Sequence, residues 1–143
     1  MDKFKHITPV QVRFKDIDKL GHVNNANHLS YFELARMQYS KDVLGNIDWS
    51  KTGFILANAH VEFKKPLLLD DQPYVRTCVS EIGTKSFKME YILAGKSIDG
   101  EEVVFATGYT VCVCLDYKLM KPVPVPESWE ECVRQFESSP HRP

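Results

Sequence analysis

Neither sign of charge is in excess in this 143-residue chain: 18 Lys and Arg face 19 Asp and Glu, for a formal net charge of −1. Binding to nucleic-acid phosphates needs a basic surplus, and there is none; no zinc-finger or RNA-binding signature occurs either. A local pair such as Lys64-Lys65 reads as solvated surface rather than a polyanion site. Long apolar runs are missing too. None approaches the ~20 residues of a membrane span, and residues 1–14 lack the apolar core and small-residue cleavage site of a signal peptide. A cytoplasmic protein without membrane or nucleic-acid partners is expected. Cysteine is scarce: Cys78, Cys112, Cys114 and Cys132 form no Cys-x-x-Cys pair, and the five histidines are scattered. Neither a disulfide framework nor a metal site is expected. Cys112 and Cys114 lie two apart in a strand-like run, so both point to one face as small reduced core residues.

What is present is ordinary for a folded domain: 43% hydrophobic and 26% charged residues. The length suits one domain over residues 1–143. A chain of this size buries about 68–70% of its unfolded surface and needs no staple.

Patterning divides the chain into a strand over residues 7–14, a polar loop over 15–25, and one long helix over 27–44 that stops at Gly45. Asn24, Asn25 and Asn27 are each suitable N-caps. Leu29, Tyr31, Phe32, Leu34, Ala35, Met37 and Tyr39 cover more than one stripe, so the helix is expected to be buried on several sides. Alternation in residues 55–63 gives a strand with Ile55, Ala57, Ala59, Val61 and Phe63 on one face. Strands follow over 73–82, 85–95 and 101–116, with a turn at Gly83-Thr84 and a hairpin at Asp99-Gly100. In the last strand, large residues (Val103, Phe105, Tyr109, Val111, Val113, Leu115) alternate with small ones (Ala106, Gly108, Thr110, Cys112, Cys114). The large face is expected on the helix, and the small face against another backbone. A proline-spaced connector, a short helix over 127–136 and a frayed tail over 138–143 complete the chain. Hairpin-linked strands and one apolar helix imply an α+β fold, with an antiparallel sheet of about five strands curled around a central helix.

The chemistry is concentrated in Phe14-Lys15-Asp16-Ile17-Asp18-Lys19-Leu20-Gly21-His22-Val23-Asn24-Asn25 and the helix segment Tyr31-Phe32-Glu33-Leu34-Ala35-Arg36. Two carboxylates and a glycine turn precede a helix N-terminus. Its free N–H groups and positive dipole end can hold an oxyanion. A carboxylate seven residues earlier can face the same point, to attack a carbonyl or activate water. Acyl-transfer hydrolysis needs that pairing.

This segment resembles the signature of the 4-hydroxybenzoyl-CoA thioesterase branch of the hotdog superfamily: an aromatic residue, Asp-x-Asp, Gly-His-Val-Asn-Asn, then a helix of Tyr-x-Glu-x-Ala-Arg character. The element order agrees over nearly the whole chain, including Glu62-Phe63-Lys64-Lys65-Pro66. The resemblance implies a hotdog fold, a homodimer or homotetramer, and hydrolysis of a coenzyme A (or acyl-carrier-protein) thioester at a subunit interface, without cofactor or metal. It assigns the catalytic carboxylate to Asp18 and the backbone oxyanion donor to Asn25. Substrate contacts are expected from Gly21, His22, Val23 and Asn24, from His60, and from Lys85 and Ser86, which resemble the pantetheine-contacting hairpin.

Position 28 departs from the family, with His where Tyr is usual; helix packing, shaping of the pocket and proton transfer are the alternatives. Asp16 is expected to cap the loop or pair with Arg13. Glu33 and Arg36 are expected to pair with each other, and Glu33, if buried, would be a second-choice base. The rival readings are a hotdog hydratase or dehydratase, whose motif is missing, and an acyl-thioester-binding protein without turnover.

Overall fold

A computed structural model describes residues 3–97 and 99–138. The element order is β1 (His6–Pro9), a 3-10 turn (Phe14–Asp16), α1 (Ala26–Tyr39), a π-helical turn (Ser40–Leu44), β2 (Thr52–Phe63), β3 (Tyr74–Ile82), β4 (Ser86–Lys96), β5 (Glu102–Asp116), β6 (Lys121–Pro122) and α2 (Glu127–Ser138). All pairings are antiparallel, in the order β1-β3-β4-β5-β2, with β6 beside β5. The sheet curls around α1 in the hotdog arrangement, as the sequence implies. The turn at Asp99-Gly100 closes with Ser97 N–H donating to Glu101 O at 2.8 Å. Of the expected frayed tail, Ser138 closes α2 and the remainder lies outside the described residues.

The helix packs on the face of β5 opposite to the one expected. Ala106, Thr110, Cys112 and Cys114 are fully buried. A Cβ added to Gly108 would lie 2.7 Å from the Phe32 ring and 2.5 Å from His60 O. Phe32 sits where β5 has least bulk and stacks on Tyr91 at 4.7 Å. A helix bearing Phe32, Tyr31 and Tyr39 supplies the volume itself, so the sheet beneath it must be small; close packing sets this complementarity. Tyr109, Val111 and Val113 face outward.

Two further expectations change. The helix is covered on one side only: Tyr31, Phe32, Ala35 and Tyr39 are buried, whereas Leu29, Leu34 and Met37 are 43%, 49% and 42% exposed. The alternation of β2 also breaks, because a bulge at Ala57 shifts the register between Leu56 and Asn58. Leu56 therefore pairs with Cys112 on the helix side, together with Ala59, Val61 and Phe63, while Ile55 faces out with Asn58, His60 and Glu62. The four cysteines are free thiols, three of them buried. Burial pushes the Cys78 thiol up to about 12 and the Cys114 thiol up to about 11, so they act as small apolar core residues.

Candidate active site

The loop before α1 is built on Asp16. Its carboxylate, 1% exposed, accepts from Arg13 N–H at 3.0 Å, from the Arg13 guanidinium at 3.2 Å and from the Tyr31 hydroxyl at 2.7 Å. Its backbone oxygen accepts from Asn24 N–H at 2.8 Å and from Asn27 Nδ2 at 3.1 Å. Burial acts to raise the Asp16 pKa, but the hydrogen bonds from Arg13 and Tyr31 outweigh it and hold the carboxyl below its ordinary value. Asp16 is thus a structural clamp and the partner of Arg13, as expected.

From that clamp the chain turns out and back. Asp18 N–H donates to His22 O at 2.8 Å and Gly21 N–H to Asp18 O at 3.0 Å. Gly21 has φ +86°, a left-handed conformation in which a side chain is strained. Gly21 makes this turn and is not among the residues that line the cleft of one protomer. The Asp18 carboxylate is half-buried. One oxygen accepts from Leu20 N–H at 2.9 Å, and the other takes no hydrogen bond from any described residue.

At the helix entry the asparagines divide the work. Asn24 Oδ1 accepts from Ala26 N–H at 2.9 Å and is the side-chain cap. Asn25 precedes the first helical residue with φ −55° and ψ −30°, and its side chain caps nothing. Its backbone N–H has no acceptor among the described residues. The positive end of α1 therefore carries an unused donor.

Asp18, His22, Val23, Asn24 and Asn25 line one open cleft of about 460 Å³. Its opposite wall is the end of β2 and the segment that follows: Phe63, Lys64, Lys65, Pro66 and Leu67. Val23 N–H donates to Leu67 O at 2.8 Å, which ties that wall to the loop. The wall was not identified from the sequence. The end of the residue 55–63 alternation pointed to Phe63, but nothing local indicates that residues 64–67 fold back onto the loop. His28 joins the floor.

Three expected contacts lie elsewhere in the protomer. His60 is on the outward face of β2, stacked on Tyr109 at 5.2 Å. Period-two alternation puts it opposite Val61 and Phe63, outside the cleft of one protomer. Lys85 and Ser86 open β4 at the far end of the sheet, where Ser86 pairs with Val113 and Lys85 O accepts from Cys114 N–H at 2.9 Å; the cleft of one protomer does not include them. Glu33 lies 3.8 Å from Arg36 but is 69% exposed, which removes it as a base. A small apolar void of about 20 Å³ under α2, lined by Leu44, Val79, Phe87, Met89 and Trp129 among others, has room for about one water and is packing space.

Residues 12–133 match the model of the thioesterase-like superfamily. The chain belongs to that superfamily. Among solved structures, a thioesterase from Thermus thermophilus complexed with coenzyme A and zinc is 36% identical, with a TM-score of 0.82 over 98% of this chain and 99% of that one. A 4-hydroxybenzoyl-CoA thioesterase complexed with 4-hydroxybenzoyl-CoA is 18% identical and shares the fold, with a TM-score of 0.83 over 89% of this chain and 96% of that one. The long-chain acyl-CoA thioesterase FadM of Escherichia coli is 26% identical over 135 residues, 90% of this chain and 97% of that protein. These thioesterase relatives agree with the resemblance read from the loop and helix motif. No helix among the described residues is long and apolar enough to cross a membrane.

Proposed function

We propose that this thioesterase-superfamily protein hydrolyses acyl-CoA thioesters to a free acid and coenzyme A, with Asp18 and the Asn25 backbone N–H as its chemical centre. The observation that carries the reading is one cleft holding a carboxylate with an uncommitted oxygen and a helix-terminal N–H with no acceptor. The N–H and the helix dipole stabilise the oxyanion that forms on the thioester carbonyl. Asp18 either attacks that carbonyl or takes a proton from the attacking water. Collapse of the tetrahedral intermediate breaks the C–S bond, and the thiolate leaves as the thiol, protonated by the Asp18 carboxyl in the base route and by solvent in the nucleophilic one. In the nucleophilic route water then hydrolyses the acyl-Asp18 anhydride to the free acid. Water is the only co-reactant, no metal or cofactor takes part, and a cytoplasmic location suits a coenzyme A ester. A panel of acyl-CoA thioesters read by thiol release tests this; binding without thiol release would leave an acyl-thioester-binding protein instead.

The working unit in this reading is a homodimer at least. Leu29, Leu34 and Met37 form an uncovered apolar stripe on α1, and residues 55–60 of the terminal strand β2 are all exposed. A two-fold partner covers the stripe and the free strand edge together, and it can bring its own Lys85 and Ser86 toward the cleft. Light scattering at micromolar concentration should give a multiple of 16.4 kDa; the protomer mass alone would refute the dimer.

A further inference from the structure

Among the described residues, the large apolar side chains most open to solvent are Phe14, Leu20, Leu119 and Met120. Phe14 and Leu20 belong to the loop before α1, which builds the cleft. Leu119 and Met120, 66% and 67% exposed, are adjacent at the tip of the turn between β5 and β6. The turn is held from below. Asp116 Oδ1 accepts from Lys118 N–H at 2.9 Å and from Leu119 N–H at 3.0 Å. Tyr117 is tied to the start of β2, its N–H donating to Lys51 O at 2.9 Å and its hydroxyl to Phe54 O at 3.3 Å. Met120 has φ +52° and is the one non-glycine residue with a left-handed backbone among the described residues. Glycine or asparagine adopts that conformation at lower cost. Turn chemistry therefore does not call for an apolar side chain at this tip, and packing within the protomer does not reward one. A residue that breaks a local rule without benefit to the fold marks a place where a function is expected.

Cations flank the tip on both sides. Lys118 precedes it and Lys121 follows it, both exposed, and the exposed Lys51 lies beside Tyr117 on the adjoining chain. Two aspartates stand against these three lysines: Asp116, which caps the turn, and Asp48, which accepts from the Ser50 hydroxyl and N–H. The tip keeps a positive excess. Two apolar side chains among lysines fit a surface that is apolar within and anionic at its rim. A bilayer with anionic lipid has that order, phosphates outside and acyl chains beneath. We propose that the β5–β6 tip is a peripheral membrane contact, in which Leu119 and Met120 enter the acyl boundary of an anionic bilayer and Lys51, Lys118 and Lys121 meet its phosphates. A contact of this size gives reversible attachment, because stable anchoring needs more than one such signal. The expectation of no membrane partner came from the lack of a spanning segment, which bears on crossing and not on surface contact. The contact requires nothing of the hydrolase reading.

The test is sedimentation of the full chain with mixed phosphatidylglycerol–phosphatidylcholine vesicles and with phosphatidylcholine vesicles alone. It compares the wild type with the double variants Leu119→Ser/Met120→Gly and Lys118→Gln/Lys121→Gln. The wild type should bind the anionic vesicles about tenfold more tightly than the neutral ones, and less tightly as salt is raised. Leu119→Ser/Met120→Gly should weaken binding to the anionic vesicles by about tenfold or more. It should melt no lower than the wild type, because glycine relieves the left-handed residue. Lys118→Gln/Lys121→Gln should lose most of the preference for anionic over neutral vesicles. A wild type that stays in the supernatant with anionic vesicles overturns the proposal, as does a folded Leu119→Ser/Met120→Gly that binds as tightly as the wild type. A fall in the oligomeric mass of that variant by light scattering also overturns it, since a second copy would then cover the tip. Slower thiol release by the variant from soluble acyl-CoA, with no vesicles present, would overturn it by placing the tip at the active site. A wild type that binds vesicles but releases no thiol removes the hydrolase reading and leaves the membrane contact standing.

Discussion

Asp18→Asn is expected to lower thioester turnover by at least ~10² while the protein stays folded and still binds acyl-CoA. The amide keeps the shape of the carboxylate and can still accept from Leu20 N–H, the one hydrogen bond the Asp18 side chain makes among the described residues. It is a poor nucleophile and a poor base, so the loss should fall on kcat rather than on binding. Thiol release under single-turnover conditions, with acyl-CoA binding measured separately, checks both halves; near-wild-type turnover would falsify the assignment. Asp16→Asn is the control, with the opposite profile. It disturbs a buried carboxylate held by Arg13 and Tyr31, so its main effect is on stability, about 1–3 kcal/mol, with a milder effect on turnover. The sign with pH follows from the lowered Asp16 pKa. Its contribution is full above the ordinary carboxylate value of 3.8 and fades as the pH falls through the still lower folded value. Wild type and Asp16→Asn should therefore differ most in melting temperature near neutral pH and converge in strong acid.

The second large effect separates the backbone of Asn25 from its side chain. Asn25→Ala keeps the N–H and should retain much of the activity, because the Asn25 side chain makes no cap bond. Asn25→Pro deletes the N–H, and its loss should cost on the order of 10²–10³ in rate, about 2.7–4 kcal/mol. The backbone tolerates the change: φ at position 25 is −55°, close to the roughly −65° that proline imposes, and among the described residues no hydrogen bond is lost with the donor. The remaining strain falls on Asn24, which the ring pushes toward extended backbone; circular dichroism and a melting curve establish that the variant is folded. Equal thioester hydrolysis by folded Asn25→Pro and Asn25→Ala would move the oxyanion hole elsewhere.

Much of the fold was legible because its signals are local. The asparagine-rich entry and Gly45 bracket the helix, and Asp99-Gly100 closes a hairpin. The span of each long strand is within a few residues of its apolar pattern. What the sequence left open depends on partners. Alternation in β5 separates two faces but does not say which one meets the helix; that depends on the bulk of Phe32, far away in the chain. The bulge at Ala57 resets parity inside β2 with no glycine to mark it. The site divides in the same way. The loop and helix entry are contiguous in sequence, whereas the wall at 63–67 reaches the cleft through tertiary contacts, among them the Val23–Leu67 bond and Phe63 against the His28 ring. His60 lies on the outward face of β2, and Gly21 makes the turn of the loop.

The clamp at Asp16 has a consequence for how such proteins can diversify. Its carboxylate and carbonyl together hold Arg13, Asn24, Asn27 and Tyr31. The spacing between Asp18 and the Asn25 amide is thereby set by groups that need touch no acyl chain. Residues on the cleft floor, such as Phe63 and His28, can then drift among lineages without moving the reacting atoms. A descendant can acquire a new diet through one or two floor substitutions, while a change at Asp16 would lower the stability of the loop that every diet shares.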